Sequence, residues 1–118
     1  MDERIDQALK TERTIDITTT GRTSGSARRK EIWFHNIDGR IYITGTPGPR
    51  SWYANLMSNA SFTFHLKESV HRDLNAMAIP VIDEARRREI LATLTKRVQS
   101  TIDLDEWVAG SPLVEVRL

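Results

Sequence analysis

Asp38-Gly39 lies between two stretches of β-type alternation and limits the fold of this chain more than any other pair. A two-residue loop of this kind takes φ > 0 at both centres, which suits the twist of paired strands. The flanking segments are therefore expected to pair as an antiparallel hairpin. In residues 28–37, Ile32 and Phe34 share one face, and Trp33, His35 and Ile37 the other. In Arg40 to Thr46, Ile41 and Ile43 alternate with Tyr42 and Thr44. Both faces of 28–37 are apolar, so that strand is expected to be covered on both sides. A subunit interface is one source of the second cover.

The same periodicities divide the rest of the chain. Residues 14–20 read as a strand, with Ile15, Ile17 and Thr19 opposite Asp16, Thr18 and Thr20. Residues 61–67 place Phe62, Phe64 and Leu66 inward, with Thr63, His65 and Lys67 outward. Residues 70–79 carry Leu74, Ala76 and Ala78 on one face and end at Pro80, and 112–118 form a last strand. Helices are expected over 2–11 (Ile5, Ala8, Leu9), over 52–58 capped by Ser51, and over 83–98 on a stripe of Ile90, Leu91, Leu94 and Val98. One more helical turn, 103–108, stops before Gly110. Arg86, Arg87 and Arg88 are read as the solvated face of the long helix. Six short strands in 118 residues are expected to curl into a small barrel, mainly β (α+β) with flanking helices, as one domain over 1–118.

Charge and residue usage narrow the function. Between residues 21 and 50 six basic side chains (Arg22, Arg28, Arg29, Lys30, Arg40, Arg50) face two acids (Glu31, Asp38), although the whole chain is only +1. A local basic patch suits a small anion. A nucleic-acid-binding barrel is the weaker rival, since such a protein is more often basic overall. Without cysteine there is no disulfide or thiolate chemistry, which fits a reducing compartment. No signal-peptide or membrane-spanning run is visible, so a soluble cytoplasmic protein is expected. His35, His65 and His71 lack metal-site spacing, and no metal is expected. Neither a nucleophile elbow nor a phosphate-binding P-loop is present. Asp103, Asp105 and Glu106 read as helix capping. A bound cofactor that carries its own chemistry asks only for binding, orientation and electrostatics.

Two stretches meet that demand. Thr18-Thr19-Thr20-Gly21-Arg22-Thr23-Ser24-Gly25-Ser26-Ala27-Arg28-Arg29-Lys30 combines turn glycines, hydroxyls and guanidinium groups, a plausible cradle for phosphate. Thr44-Gly45-Thr46-Pro47-Gly48-Pro49-Arg50-Ser51-Trp52-Tyr53-Ala54-Asn55-Leu56 runs from a strand through a Gly/Pro loop into a helix start. Arg50 is expected to reach the same ligand as Arg28, and Trp52 and Tyr53 to pack on a planar ring. The plain alternatives are a basic hairpin loop and a core tryptophan.

In their order and spacing, Thr18 to Gly25, Arg28, Asp38-Gly39, Gly45-Thr46-Pro47 and Trp52-Tyr53-Ala54-Asn55-Leu56 resemble the deazaflavin (F420)-dependent nitroreductase and quinone reductase family of the flavin-reductase split-barrel group. The resemblance covers residues 14–67. It implies a six-stranded, FMN-binding-like split β-barrel, commonly a homodimer. It also implies hydride transfer from reduced coenzyme F420 to an electron-poor small molecule such as a quinone, enone or nitroaromatic. The implied cofactor-binding residues are Thr20, Gly21, Arg22, Thr23, Ser24, Gly25, Arg28, Thr44, Gly45, Thr46, Pro47, Gly48, Arg50, Trp52 and Asn55. Tyr42, Tyr53 or His65 would donate the balancing proton. The chain departs from the family pattern at Thr23 and Gly48, where lysine is common, and at Glu31, where proline is common. Arg29, Lys30 and Arg50 are the candidate replacements for the missing cations. The alternative reading is an FMN-binding or non-catalytic split barrel that carries a small planar ligand.

Overall fold

A computed structural model describes residues 2–118. Seven strands form one antiparallel sheet: β1 (Thr14–Thr20), β2 (Ala27–Trp33), β3 (His35–Ile37), β4 (Arg40–Thr44), β5 (Ser61–Lys67), β6 (His71–Pro80) and β7 (Leu113–Arg117). Their order is β2-β1-β5-β6-β7-β4-β3. The two edge strands, β2 and β3, are consecutive in the chain and are separated by Phe34 alone. The chain thus steps from one edge of the sheet to the other in a single residue, and the sheet curls into a barrel with a seam there. This is why residues 28–37 form two strands rather than the one expected, giving seven strands instead of six. At the seam the Phe34 N–H donates to the Arg13 carbonyl (2.8 Å), extending the β1–β2 register by one residue before the chain crosses to β3. The hairpin at Asp38-Gly39 has φ of 52° and 89°, the positive pair its sequence requires.

The barrel interior is filled by Ile15 and Ile17 of β1, Phe34, Ile41 and Ile43, Phe62, Phe64 and Leu66 of β5, Ala76 and Ala78, and Val114 and Val116. Phe34 meets Phe64 edge to face at 5.3 Å. Helix α1 (Glu3–Thr11) adds Ile5, Ala8 and Leu9, and α2 (Ser51–Ser58) adds Trp52 and Leu56. A second, smaller core lies on the outer side of β4 and β7. There Tyr42 and Leu113 pack against Ile90, Leu91 and Leu94 of α3 (Glu84–Arg97) and Trp107 and Val108 of α4 (Leu104–Gly110). The two-sided strand is therefore β4, covered within this chain by α3 and α4. The same layer covers the outer face of His35 and Ile37, so no subunit interface is needed there. β2 is exposed along most of its length.

The helix ends follow from capping. Asp2 accepts from the Arg4 N–H (2.7 Å), and Asp83 accepts from the Arg86 N–H (2.9 Å). Ser51 is the first residue of α2 rather than its cap; Arg50 holds the cap position without a side-chain capping bond. The three consecutive arginines of α3 are not one solvated face. The Arg87 guanidinium donates to the carbonyls of Val81 (2.9 Å), Val108 (3.0 Å) and Ser111 (2.6 Å), joining both ends of the outer layer.

Candidate cofactor groove and adjoining cavity

Alternation along β2 sorts its charges. Arg28 and Lys30 share the inner face; Arg29 and Glu31 share the outer one. The inner face of β2 runs beyond the packed core. Arg28 and Lys30 therefore look onto a groove of about 540 Å³ whose other walls are Thr19, the turn Gly21-Arg22-Thr23-Ser24, and Ser51, Trp52 and Asn55 of α2. On the outer face, Arg29 is drawn to Asp16 (2.9 Å), and Lys67 bonds both Asp16 (2.7 Å) and Glu31. Those two cations hold the Asp16 carboxyl below the usual carboxylate range. Of the three candidate replacements for the missing cations, Lys30 alone faces the groove, and the carboxylate of Glu31 is turned away from it. Lys30, expected only as one of three replacements and not among the implied binding residues, is marked out by its spacing of two from Arg28 on a strand.

The turn is shaped from within. The Gly21 N–H donates to Ser26 (2.7 Å), and the Gly25 N–H donates to Gly21 (2.8 Å). Gly25 takes φ 72°. A Cβ at position 21 would stand 2.8 Å from Ser24 Oγ and 3.2 Å from the Ser26 carbonyl, so only glycine leaves this floor open. Ser24 Oγ accepts from the Ser26 N–H (3.1 Å) and from Arg28 Nη2 (3.4 Å). Asn55, which is buried, staples the turn to the barrel. Its Oδ1 accepts from the Arg22 N–H (3.1 Å) and Arg22 Nη1 (2.9 Å), while its Nδ2 donates to Thr19 Oγ1 (3.2 Å). Asn55 thus positions Arg22 instead of offering free polar atoms to a ligand. Among the described residues Arg22, Arg28 and Lys30 have no carboxylate partner. Three such cations, a glycine floor and a tryptophan wall fit a phosphate-bearing, planar cofactor.

The second expected stretch does not join this groove. Arg50 folds back on its own loop, donating to the carbonyls of Thr46 (3.1 Å), Gly48 (3.2 Å) and Pro49 (3.1 Å) and to Thr46 Oγ1 (2.7 Å). It shapes the loop instead of reaching toward Arg28. The Gly48 N–H donates to Gly110 (3.0 Å), which ties the same loop to α4. Thr44, Gly45 and Thr46 line a different cavity, about 400 Å³, with Trp33, His35, Leu94, the segment Val98 to Ile102, and Trp107. Trp33 lies three residues beyond Lys30 on β2, about 10 Å along the strand. That odd spacing turns Trp33 to the face opposite Lys30, so the groove and the cavity meet β2 from its two faces. Thr20 and Gly25 lie instead toward a polar recess beside β5.

None of the three expected proton donors lines the groove or the cavity. Tyr42 is buried in the outer core. Tyr53 packs against the barrel core and the edge of Trp52 (5.9 Å). His65, expected to point outward into solvent, is 6% exposed. Its Nδ1 is 2.7 Å from Asp73 Oδ1, and its Nε2 is 2.7 Å from Thr18 Oγ1. The Asp73 carboxylate accepts at Nδ1 and the Thr18 hydroxyl partners Nε2, so both ring nitrogens are engaged on the outer face of the sheet. The histidine that does reach a cavity is His35. Burial, with Arg97 and Arg13 nearby, pushes its pKa down to about 4, so its ring is neutral at pH 7.

A seven-stranded sheet curled into a split barrel, flanked by four helices and with a basic groove beside its exposed edge strand, places the chain among the split β-barrels. Solved structures share this architecture. A conserved hypothetical protein of Mycobacterium tuberculosis superposes with a TM-score of 0.73 at 18% identity, over 99% of this chain and 80% of that one. An F420 reductase gives 0.74 at 15%, over 99% and 94%. A Listeria innocua protein provisionally assigned as a pyridoxamine 5′-phosphate oxidase gives 0.72 at 11%, over 98% and 90%. Residues 2–105 match the model of the F420H(2)-dependent quinone reductase family, and the chain belongs to that family. It is an F420-dependent reductase, and its cofactor is coenzyme F420.

Proposed function

We propose that the chain reduces a small electron-poor acceptor (a quinone, an enone or a nitroaromatic) bound in the Trp33–Trp107 cavity, with the anionic part of F420 held in the groove. When bound, the reduced deazaflavin supplies the hydride, and one proton completes a two-electron reduction of the acceptor. The observation that carries this reading is the pairing of Arg28 and Lys30 on the one face of β2 that looks into the groove, without carboxylate partners among the described residues. Arg28 and Lys30 neutralise the phosphate and acidic tail, Arg22 is held ready by Asn55, and the Gly21 floor admits close approach of an oxygen. The cavity supplies aromatic walls for an apolar ring, the usual lining of a small-molecule site. The cysteine-free chain suits a reducing cytoplasm, and a homodimer is the assembly we infer.

Fluorescence titration with F420 tests the groove. Arg28→Ala is expected to weaken binding about tenfold or more, since a charge-assisted contact contributes ~1.5–3 kcal/mol. Lys30→Ala is expected to act in the same direction and Arg29→Ala to leave the dissociation constant unchanged. Equal affinity for native protein and Arg28→Ala would remove Arg28 from the site. Saturable binding of FMN with none of F420 would favour a flavin carrier instead.

A further inference from the structure

The cavity beside the groove has its own polar accounting. Thr44 Oγ1 donates to the Pro112 carbonyl (2.6 Å), and Thr46 Oγ1 accepts from Arg50. Ser100 Oγ accepts from Trp107 Nε1 (3.0 Å) and from the Ile102 N–H (3.1 Å). Each of these groups has a partner within the protein, and Gln99 and Thr101, which also line the cavity, are exposed. His35 is different: it is 9% exposed, it lines the cavity, and its ring makes no hydrogen bond to another described residue. A ring nitrogen that has no partner among the described residues and opens onto the cavity is free to bond a ligand there. The His35 backbone is fixed on both sides, by the Phe34 N–H bond to Arg13 and by the pairing of His35 with Tyr42. On this face of β3 its cover is α3, which brings Arg97, while Arg13 approaches from the α1–β1 connection.

Resting on the reading of this cavity as the acceptor site, we propose that His35 is a specificity-determining residue, whose imidazole N–H donates a hydrogen bond to a carbonyl or nitro oxygen of the acceptor. As hydride reaches the acceptor, negative charge gathers on that oxygen, and a buried donor fixed on a strand steadies it. The neutral ring has one N–H to give, so it selects ligands that present an oxygen acceptor over hydrocarbons of the same outline. Trp33 and Trp107, in the same wall, add stacking surface without competing for that oxygen.

The cavity can be probed in the protein without F420, because Trp33 and Trp107 report on it. A water-soluble 1,4-naphthoquinone is titrated against tryptophan fluorescence, and a carbonyl-free naphthalene of similar size is titrated as a competitor. His35→Leu is expected to weaken quinone binding about fivefold, the effect of one neutral hydrogen bond, and to leave naphthalene binding unchanged. His35→Gln, which keeps an N–H donor, is expected to bind the quinone within about twofold of native protein. Thermal melting confirms that both variants fold. Native-like quinone affinity in His35→Leu overturns the role of His35 while leaving the cavity as the acceptor site. Absence of saturable quenching in native protein overturns the acceptor-site reading, and the role of His35 with it.

Discussion

At the scale of single residues, His35 has a consequence that needs no ligand. An unfolded imidazole titrates near 6.5, whereas burial beside Arg97 and Arg13 brings the folded value down to about 4. Between those values the unfolded chain binds the proton and the folded chain does not. The contribution of His35 is therefore complete above about pH 6.5 and declines as pH falls toward 4, by about 3 kcal/mol at the lower end. Urea midpoints at pH 7.5 and pH 4.5 are expected to differ clearly for native protein and much less for His35→Leu. Asp16 acts in a lower window: its folded pKa is depressed by Lys67 and Arg29, so its contribution is lost only as pH falls below the ordinary carboxylate range. An equal pH slope in native protein and His35→Leu would show that His35 is solvated. In the sequence, His35 was one of three histidines without metal spacing. Its burial depends on α3, which lies some fifty residues further along, and strand alternation cannot see that far.

At the scale of elements, α3 shows which part of a periodic pattern was available to be read. The stripe Ile90, Leu91 and Leu94 was plain, and it packs as expected. Arg87 sits three, four and seven residues before those positions, so it belongs to the same stripe. Three arginines in a row concealed that phase. Arg87 joins the end of β6 to the end of α4 through three carbonyls, and its loss would leave them in partly buried surroundings. Arg87→Met keeps apolar bulk and removes the donors. It is expected to lower stability by about 3 kcal/mol, since hydrogen bonds to a charged donor are worth ~1.5–3 kcal/mol each and partial resolvation returns some of that. Arg88→Met is expected to change little, because Arg88 bridges Asp105 and Glu84 where solvent competes. Chemical denaturation of the two variants checks the contrast. On β2 the same two-residue period that folds the strand divides its cations into a groove-facing pair, Arg28 and Lys30, and the outward Arg29.

At the scale of the whole molecule, local patterns gave the hairpin, the inward faces of the main strands and a barrel, but not the second core under α3 and α4. They did not give the seam, because a one-residue passage between opposite edges has no local signature; it exists only once the sheet has curled. The separation of the two glycine stretches into a groove and a cavity was hidden for a related reason. Arg50 has enough reach for either, and the carbonyls that hold it become available only when the loop closes on itself. The same seam leaves β2 bordered by β1 alone. An unpaired strand edge is a template for another chain, and natural proteins guard such edges with charge. Arg28-Arg29-Lys30-Glu31 stands along this one, so the cations serve colloidal stability as well as binding. Arg29→Val with Glu31→Val spares the groove-facing pair, yet it is expected to cause concentration-dependent association. Sedimentation velocity would read this as species beyond those of the native protein, and would also show whether the native protein is the inferred dimer. An unchanged distribution would mean that the edge is protected by other means. Any effort to retune this groove by trading its basic strand for an apolar one thus works against solubility: the residues that admit an anion also keep neighbouring copies from zipping together.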